Sequence, residues 1–142
     1  MKSLLLTAVQ FICLGYILLT NSWISAQPVL AGVQVAGVLL GVWAILVMSR
    51  SKLNITPDPR KGAILIQTGP YSLIRHPMYT SLMLALFPIL YTDHGIANLI
   101  VFGVLFINLL LKLKYEERLL LARFESYRQM VSTTWRLIPW IY

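Results

Sequence analysis

Two stretches near the start of the chain are long, apolar and free of charged residues. They cover residues 3–20 and 28–48, and a helix needs about 20 apolar residues to cross a bilayer. The whole chain is 58% apolar and only 12% charged, whereas a soluble domain has about 25% charged residues. Because so few charges cannot cover a globule with a polar surface, the sequence predicts an integral membrane protein.

Two shorter apolar stretches follow a polar segment. They cover residues 78–92 and 95–111, and we expect them to form a helical hairpin that turns near residue 94. The first of the two contains Pro88, which removes a backbone donor from the helix interior. The sequence thus predicts an all-α fold, in which residues 1–142 form a single membrane domain with four transmembrane helices and a cytoplasmic C-terminal helical extension.

The first stretch also has features of a secretory signal peptide. Lys2 precedes the apolar run, and Ile24-Ser25-Ala26 resembles a cleavage site. The run is longer than the usual 7–15 or so apolar residues of such a peptide, and Ile24 stands where a small residue is expected. We therefore favour a span that is retained, with the signal peptide as the alternative.

All basic residues lie on one side of a four-span arrangement. One of the twelve precedes the first span, five lie in residues 49–77 and six lie in residues 112–142. The positive-inside rule then places both termini in the cytoplasm, and the membrane is the cell inner membrane if the source is bacterial. This topology accounts for the net charge of +7, so we expect membrane lipids as partners and no nucleic acid.

The sequence also limits where an active site can be. It contains neither a dinucleotide-binding glycine motif nor a phosphate-binding loop. The single cysteine, Cys13, excludes an internal disulfide and a cysteine-based metal cluster, and we expect no metal site. Any active site must therefore be built from span ends and from the cytoplasmic segments 49–77 and 112–142.

Polar and aromatic residues are concentrated just before the third span. The sequence G-P-Y at residues 69–71 indicates a turn, and R-H-P-M-Y follows at residues 75–79. Because a residue before proline is restricted to extended conformations and proline suits the first turn of a helix, we expect Arg75 and His76 at the mouth of this span. The alternative is an interfacial belt of Tyr and Arg with no further role.

The helix after residue 111 places a carboxylate in an apolar stripe. Glu117 recurs at helical spacing with Leu113, Leu120, Phe124, Tyr127 and Val131. Glu116 lies beside this stripe, and the opposite face holds Lys114, Arg118, Glu125 and Gln129. A carboxylate in such a stripe is unusual, because burying it unpaired is unfavourable.

The hairpin geometry relates the two polar segments. Reflecting Glu116 through the turn at residue 94 places it level with residues 71–76, to within about 5 Å. We therefore expect the glutamate pair and the R-H-P-M-Y segment to converge at the cytoplasmic rim, which is a functional-site hypothesis. The alternative is that the two glutamates are solvated at the membrane surface or are merely paired with Arg75.

At these residues the chain resembles the isoprenylcysteine carboxyl methyltransferase and phospholipid methyltransferase group of integral-membrane enzymes. The shared pattern is a G-x-Y turn, R-H-P-x-Y, a hydrophobic hairpin, Glu-Glu, then Phe124 and Tyr127, and R-x-x-P at residues 136–139. It covers roughly residues 55–142. The resemblance implies S-adenosyl-L-methionine as cofactor and a lipophilic or small membrane-accessible acceptor, which is methylated on a carboxylate, amine, phenol or thiol.

The resemblance also implies roles for individual residues. The donor pocket would be formed by Ala63, Ile64, Leu65, Ile66, Tyr71, His76, Pro77, Met78, Tyr79 and Glu116. Catalytic positions would be Arg75, Glu117 and Lys112, and Lys112 stands where the family has an arginine. We expect Glu116 to accept hydrogen bonds from ribose hydroxyls, Arg75 or His76 to hold the donor carboxylate, and Glu117 to face the substrate or act as a base.

Three other functions are compatible with four spans. A small transporter is disfavoured, because the span interiors contain no Asp, Glu, Lys or Arg. A membrane lipid or sterol reductase would use a nicotinamide cofactor, and the compact spacing of the motifs favours the methyltransferase over it. The third is a non-catalytic membrane scaffold, and the intact motifs argue against it.

Overall fold

A computed structural model describes residues 2–49, 65–92 and 95–142 of the chain. These residues are helical apart from the connections and residues 134–142, which agrees with the predicted all-α fold, although the C-terminal extension is helical only as far as Thr133. The helices are α1 (Lys2–Thr20), α2 (Pro28–Met48), α3 (Pro77–Thr92), α4 (Ile96–Arg123) and α5 (Ser126–Thr133), and a 3-10 turn covers Gly69–Ser72.

Three helices are long and apolar enough to cross a membrane. They are α1, α2 and α4, with 19, 21 and 28 residues, whereas α3 is apolar but has only 16 residues. The described residues therefore contain three candidate spans and one shorter apolar helix rather than four of full length. α4 continues past residue 111 to Arg123, so the predicted C-terminal extension begins as part of this helix. The predicted turn residues Asp93 and His94 lie outside the described ranges.

Bulky apolar side chains cover the outer surface of the helices. On α2 the exposed ones include Val35, Val38, Leu39, Val42 and Leu46. Soluble monomers rarely expose contiguous apolar patches of more than a few hundred Å². This surface agrees with the membrane character that the composition predicts.

The contact between α2 and α3 depends on small residues. Gly37 and Gly41 of α2 face Ser81 and Ala85 of α3, and a Cβ atom on Gly37 would lie only 2.7 Å from the backbone nitrogen of Ala85. A Cβ atom on Gly41 would lie 2.9 Å from Ser81 Oγ. Small residues spaced four apart allow apolar helices to approach closely, so this seam sets the distance between the two helices.

Hydrogen bonds from polar side chains connect α1 and its C-terminal end to α4. Asn108 donates to the carbonyl of Leu6 at 2.9 Å, and Asn21 and Asn98 exchange hydrogen bonds of 2.8 and 3.2 Å. Between these hydrogen bonds, α1, α3 and α4 share a hydrophobic core. It includes Cys13, Ile17, Leu86, Ile89, Leu105 and Leu109. α3 therefore has α2 on one side and the α1–α4 pair on the other.

The predicted apolar stripe is correct only as far as Tyr127. Leu113, Glu117 and Tyr127 are buried, but Val131 is exposed and Met130 is buried in its place. The reason is that α4 ends at Arg123 and Phe124 has extended backbone angles, φ −120° and ψ 112°. α5 then begins with a different helical phase, so the stripe cannot continue at its original spacing.

The small-residue seam leads to a stability prediction. Gly37→Ala should lower the free energy of unfolding by about 1–3 kcal/mol, because the added methyl group meets backbone and the two helices must separate. Thermal unfolding in detergent would measure the loss. Gly32→Ala is the matched control on the same helix, since a Cβ atom there has nothing within 4 Å. Equal unfolding temperatures for the two variants would contradict a close α2–α3 seam.

Candidate functional site

The segment before α3 is held in place by the 3-10 turn and by the C-terminal segment. Gly69 has φ +62°, and a Cβ atom there would lie 3.0 Å from Val47 Cγ2 on α2. Beyond the turn, Arg75 N donates to the carbonyl of Trp135 at 2.7 Å and His76 N to that of Arg136 at 3.1 Å. α3 then begins at Pro77, as the sequence predicts. The backbone of Arg75 and His76 is thus fixed on both sides.

The structure confirms that the segment before α3 converges with the two glutamates of α4. Arg75 Nε donates to Glu117 Oε1 at 3.0 Å, and His76 Nδ1 lies 3.5 Å from Glu116 Oε2. The hydroxyl of Tyr79 donates to Glu116 Oε1 at 2.6 Å. We call this group, together with Arg136, the polar cluster.

Glu117 is the most constrained member of the polar cluster. Its side chain is 9% exposed, and its second oxygen, Oε2, lies 3.1 Å from Arg136 Nε. Arg75 also donates to the carbonyls of Val131 at 3.1 Å and of Thr134. Both oxygens of this carboxylate are therefore paired with arginines that come from different segments of the chain.

His76 is buried against Tyr79 and between the two glutamates. The two rings are stacked, with centroids 5.5 Å apart and an interplanar angle of 2°. Burial lowers the pKa of His76, but the interaction with the two nearby glutamates outweighs burial, so the pKa is raised above its ordinary value. Nε2 lies 3.8 Å from Glu117 Oε1, too far for a hydrogen bond. This nitrogen has no hydrogen-bond partner among the described residues.

Two buried tyrosines belong to the core next to the polar cluster. The hydroxyls of Tyr71 and Tyr127 are buried and find no hydrogen-bond partner in the described part of the chain. Burial, and next the charge of Glu116, raises the pKa of Tyr71; burial and then the charge of Glu117 raise that of Tyr127. Both phenols therefore remain protonated donors. Unpaired buried donors are rare in folded proteins and require an explanation.

Lys112 lies on the side of the cluster that faces α1. It is 2% exposed, and Nζ donates to Gln10 Oε1 at 2.9 Å. The same nitrogen lies 5.8 Å from the centroid of the Tyr79 ring. Sequence reasoning missed Gln10, although an isolated amide within an apolar span is itself a signal of a polar partner.

The remaining predicted donor-pocket residues are not all at the cluster. Leu65 and Ile66 pack against the core that contains Tyr71 and Tyr127, and Pro77 is fully buried, whereas the Met78 side chain is exposed. The predicted pocket residues Ala63 and Ile64 lie outside the described residues.

The side chains of the polar cluster mainly contact one another. A cleft at the other end of the bundle, lined in part by Ile17, Asn21 and Asn98, has room for about one water molecule. Within residues 2–49, 65–92 and 95–142, no group of three or more His, Cys, Asp or Glu side chains is arranged to hold a metal ion.

Comparisons with known proteins returned no match. This holds for a scan against protein-family models, a search of curated proteins and a search of solved structures.

The double ion pair of Glu117 can be tested by neutralising the carboxylate. Glu117→Gln should lower the free energy of unfolding by about 3–5 kcal/mol, because it leaves buried arginine charge uncompensated. Glu125→Gln is the matched control, since Glu125 is exposed and surface substitutions usually change stability by less than about 0.5 kcal/mol. Chemical unfolding in detergent would measure both. Similar losses would show that the ion pairs contribute nothing to stability.

The raised pKa of His76 predicts a dependence of stability on pH. The folded protein holds this proton more tightly than the unfolded chain, whose histidine has the ordinary value of 6.5. The stabilisation is therefore complete below about pH 6.5 and is lost as pH rises through the folded pKa. Unfolding temperatures measured across this window should fall more steeply for the wild type than for His76→Gln. Parallel curves would mean that His76 is not charged in the folded state.

Proposed function

We propose that the chain is an integral-membrane methyltransferase with four spans and both termini in the cytoplasm. It would transfer a methyl group from S-adenosyl-L-methionine to a lipophilic or small membrane-accessible acceptor. The observation that carries the proposal is the polar cluster, because residues of R-H-P-x-Y and Glu-Glu meet there although His76 and Glu116 are 40 positions apart in the chain. These are the motifs by which the sequence resembles the methyltransferase group.

The length of the third helix is compatible with a site at the membrane interface. The 16 residues of α3 rise about 24 Å, less than the roughly 30 Å of the hydrocarbon core. As the third span, α3 would cross most of this layer, which would put its first residue and the neighbouring polar cluster near the lipid headgroups. The clustering of basic residues in segments 49–77 and 112–142 supports the cytoplasmic side for this end.

The unpaired groups near the cluster fit a polar ligand such as the methyl donor. The hydroxyls of Tyr71 and Tyr127 and the Nε2 atom of His76 offer hydrogen bonds that no described residue uses. We assign the donor carboxylate to His76, whose Nε2 atom is unpaired. Glu116 would accept hydrogen bonds from the ribose hydroxyls, in exchange for its contacts with Tyr79 and His76. The bound donor supplies an electrophilic methyl group on a sulfonium sulfur.

The protein's contribution is positioning and exclusion of water. Methyl transfer is an in-line displacement, in which a carbon–sulfur bond breaks as the bond to the acceptor forms, and it depends on alignment more than on covalent help. Because charge disperses in the transition state, a water-poor site with fixed dipoles favours it. Both oxygens of Glu117 are held by arginines, so we assign Glu117 to holding the site together. We assign Lys112 to the acceptor side, as the resemblance implies.

Donor binding tests the proposal directly. Glu116→Gln should weaken binding of S-adenosyl-L-methionine at least about tenfold, since one lost hydrogen bond to a charged group is worth about 1.5–3 kcal/mol. Calorimetry in detergent would measure the affinity. Glu125→Gln removes an exposed carboxylate outside the polar cluster and should bind the donor as the wild type does. Unchanged affinity in Glu116→Gln would rule out the role given to Glu116.

Activity is tested with labelled donor and a total extract of lipids and small molecules. Transfer of the labelled methyl group to an extractable product is expected with the wild type and should be clearly reduced with Glu116→Gln when the donor is subsaturating. Failure of the wild-type protein to bind donor at millimolar concentration would overturn the proposal.

A non-catalytic membrane scaffold is the second candidate. It is favoured by the mutual pairing of the charged groups, since Glu117 and Arg75 satisfy each other without a ligand. In that case the polar cluster only ties α4 to the segment before α3.

A further inference from the structure

The last six residues, Leu137–Tyr142, form a closed turn that we call the C-terminal turn. The carbonyl of Tyr142 accepts from Leu137 N at 2.9 Å and from Ile138 N at 3.1 Å, and Tyr142 N donates back to the carbonyl of Ile138 at 3.0 Å. Trp140 has φ 65°, a left-handed conformation that is rare for a bulky residue. The turn therefore has a defined shape that imposes strain at Trp140.

The strained turn presents its largest apolar side chains outward. Trp140 is 80% exposed and Ile141 is 77% exposed. No packing within the described residues accounts for an indole held in this way, although buried area is what usually rewards such a side chain. An external apolar environment would account for it.

The position of the C-terminal turn identifies that environment. Leu137 is buried in the core shared by α1, α3 and α4, and its carbonyl accepts from Thr80 Oγ1 at 2.7 Å, in the first turn of α3. The turn thus lies beside the N-terminal end of α3, at the same end of the bundle as the polar cluster. In the proposed topology this is the level of the lipid headgroups on the cytoplasmic side.

The positive charge of the C-terminal segment also favours contact with lipid headgroups. Residues 112–142 contain six basic and three acidic residues, and Arg136 Nη1 donates to the hydroxyl of Tyr142 at 3.1 Å. Trp and Tyr collect at membrane interfaces, where basic residues contact anionic headgroups.

We propose that the C-terminal turn docks into the cytoplasmic lipid interface and that Trp140 and Ile141 insert among the headgroups and upper acyl chains. The inference rests on the four-span placement and is independent of methyl transfer. It adds an anchor next to Arg136, whose side chain pairs with Glu117. The bilayer would therefore help to hold the segment that completes the polar cluster.

Spin labels on the full chain can test this docking. Ile141→Cys, in a Cys13→Ala background, is labelled with a nitroxide and reconstituted into vesicles of phosphatidylcholine and anionic phosphatidylglycerol. Power saturation compares access of oxygen, which enters lipid, with access of a water-soluble nickel chelate. Oxygen access should exceed nickel access severalfold at position 141. The order should be reversed at Ser132→Cys, which lies on the exposed polar face of α5.

A third label separates failure of docking from failure of the topology. Leu39→Cys lies on the exposed apolar face of α2 and should report lipid if the four-span placement is correct. If the label at position 39 reports lipid and the label at position 141 reports water, the docking proposal alone is overturned. If both labels report water, the four-span placement is overturned as well. Shielding of position 141 from both reagents would indicate a second protein copy and would also overturn the proposal.

An intrinsic probe guards against misfolding of the labelled variants. Tryptophan fluorescence of the unlabelled protein should be quenched by lipids brominated near the headgroup, and Trp140→Phe should lose a clear part of that quenching. Equal quenching in the two proteins would contradict insertion of Trp140.

Discussion

Glu117 is a carboxylate buried near the end of α4, and the arrangement around it depends on its two arginine partners. Arg75 comes from the segment before α3 and Arg136 from the C-terminal segment. Glu117 and Arg75 are buried, and either charge would be unfavourable there without its partner, whereas Arg136 is partly exposed. The three segments must therefore fold together, and backbone hydrogen bonds from Arg75 and His76 to residues 135–136 strengthen the same connection.

The glycine seam between α2 and α3 positions the other side of the polar cluster. Gly37 and Gly41 allow α2 to pack closely against α3. The end of α2 then packs against the turn at Gly69, and Tyr71 is buried beside Val47. Since α3 starts a few residues later, the same seam determines where His76 and Tyr79 stand relative to α4. Helix packing between α2 and α3 and ion pairing around Glu117 thus both determine the position of the polar cluster.

Much of this arrangement could be predicted from the sequence, because some signals are local. Uncharged runs delimit α1 and α2, His-Pro predicts the start of α3, and the hairpin places Glu116 level with His76. Other features are not local. The G-x-x-x-G spacing of α2 is visible, but it does not reveal which helix it faces. The break at Phe124 has no Gly or Pro beside it, so the sequence does not show that the helical spacing stops before Val131.

The partners of the two adjacent glutamates could not be predicted from the sequence. Neighbouring residues on a helix point about 100° apart, so one glutamate meets the arginines and the other meets His76 and Tyr79. Glu117 has an arginine on each oxygen, whereas Glu116 has a 3.5 Å contact to His76 and one hydrogen bond from Tyr79. Glu116 can therefore exchange partners at lower energetic cost. Preorganised binding sites hold their side chains by packing and supporting hydrogen bonds, and the arginine pairs of Glu117 would give such support to the proposed site.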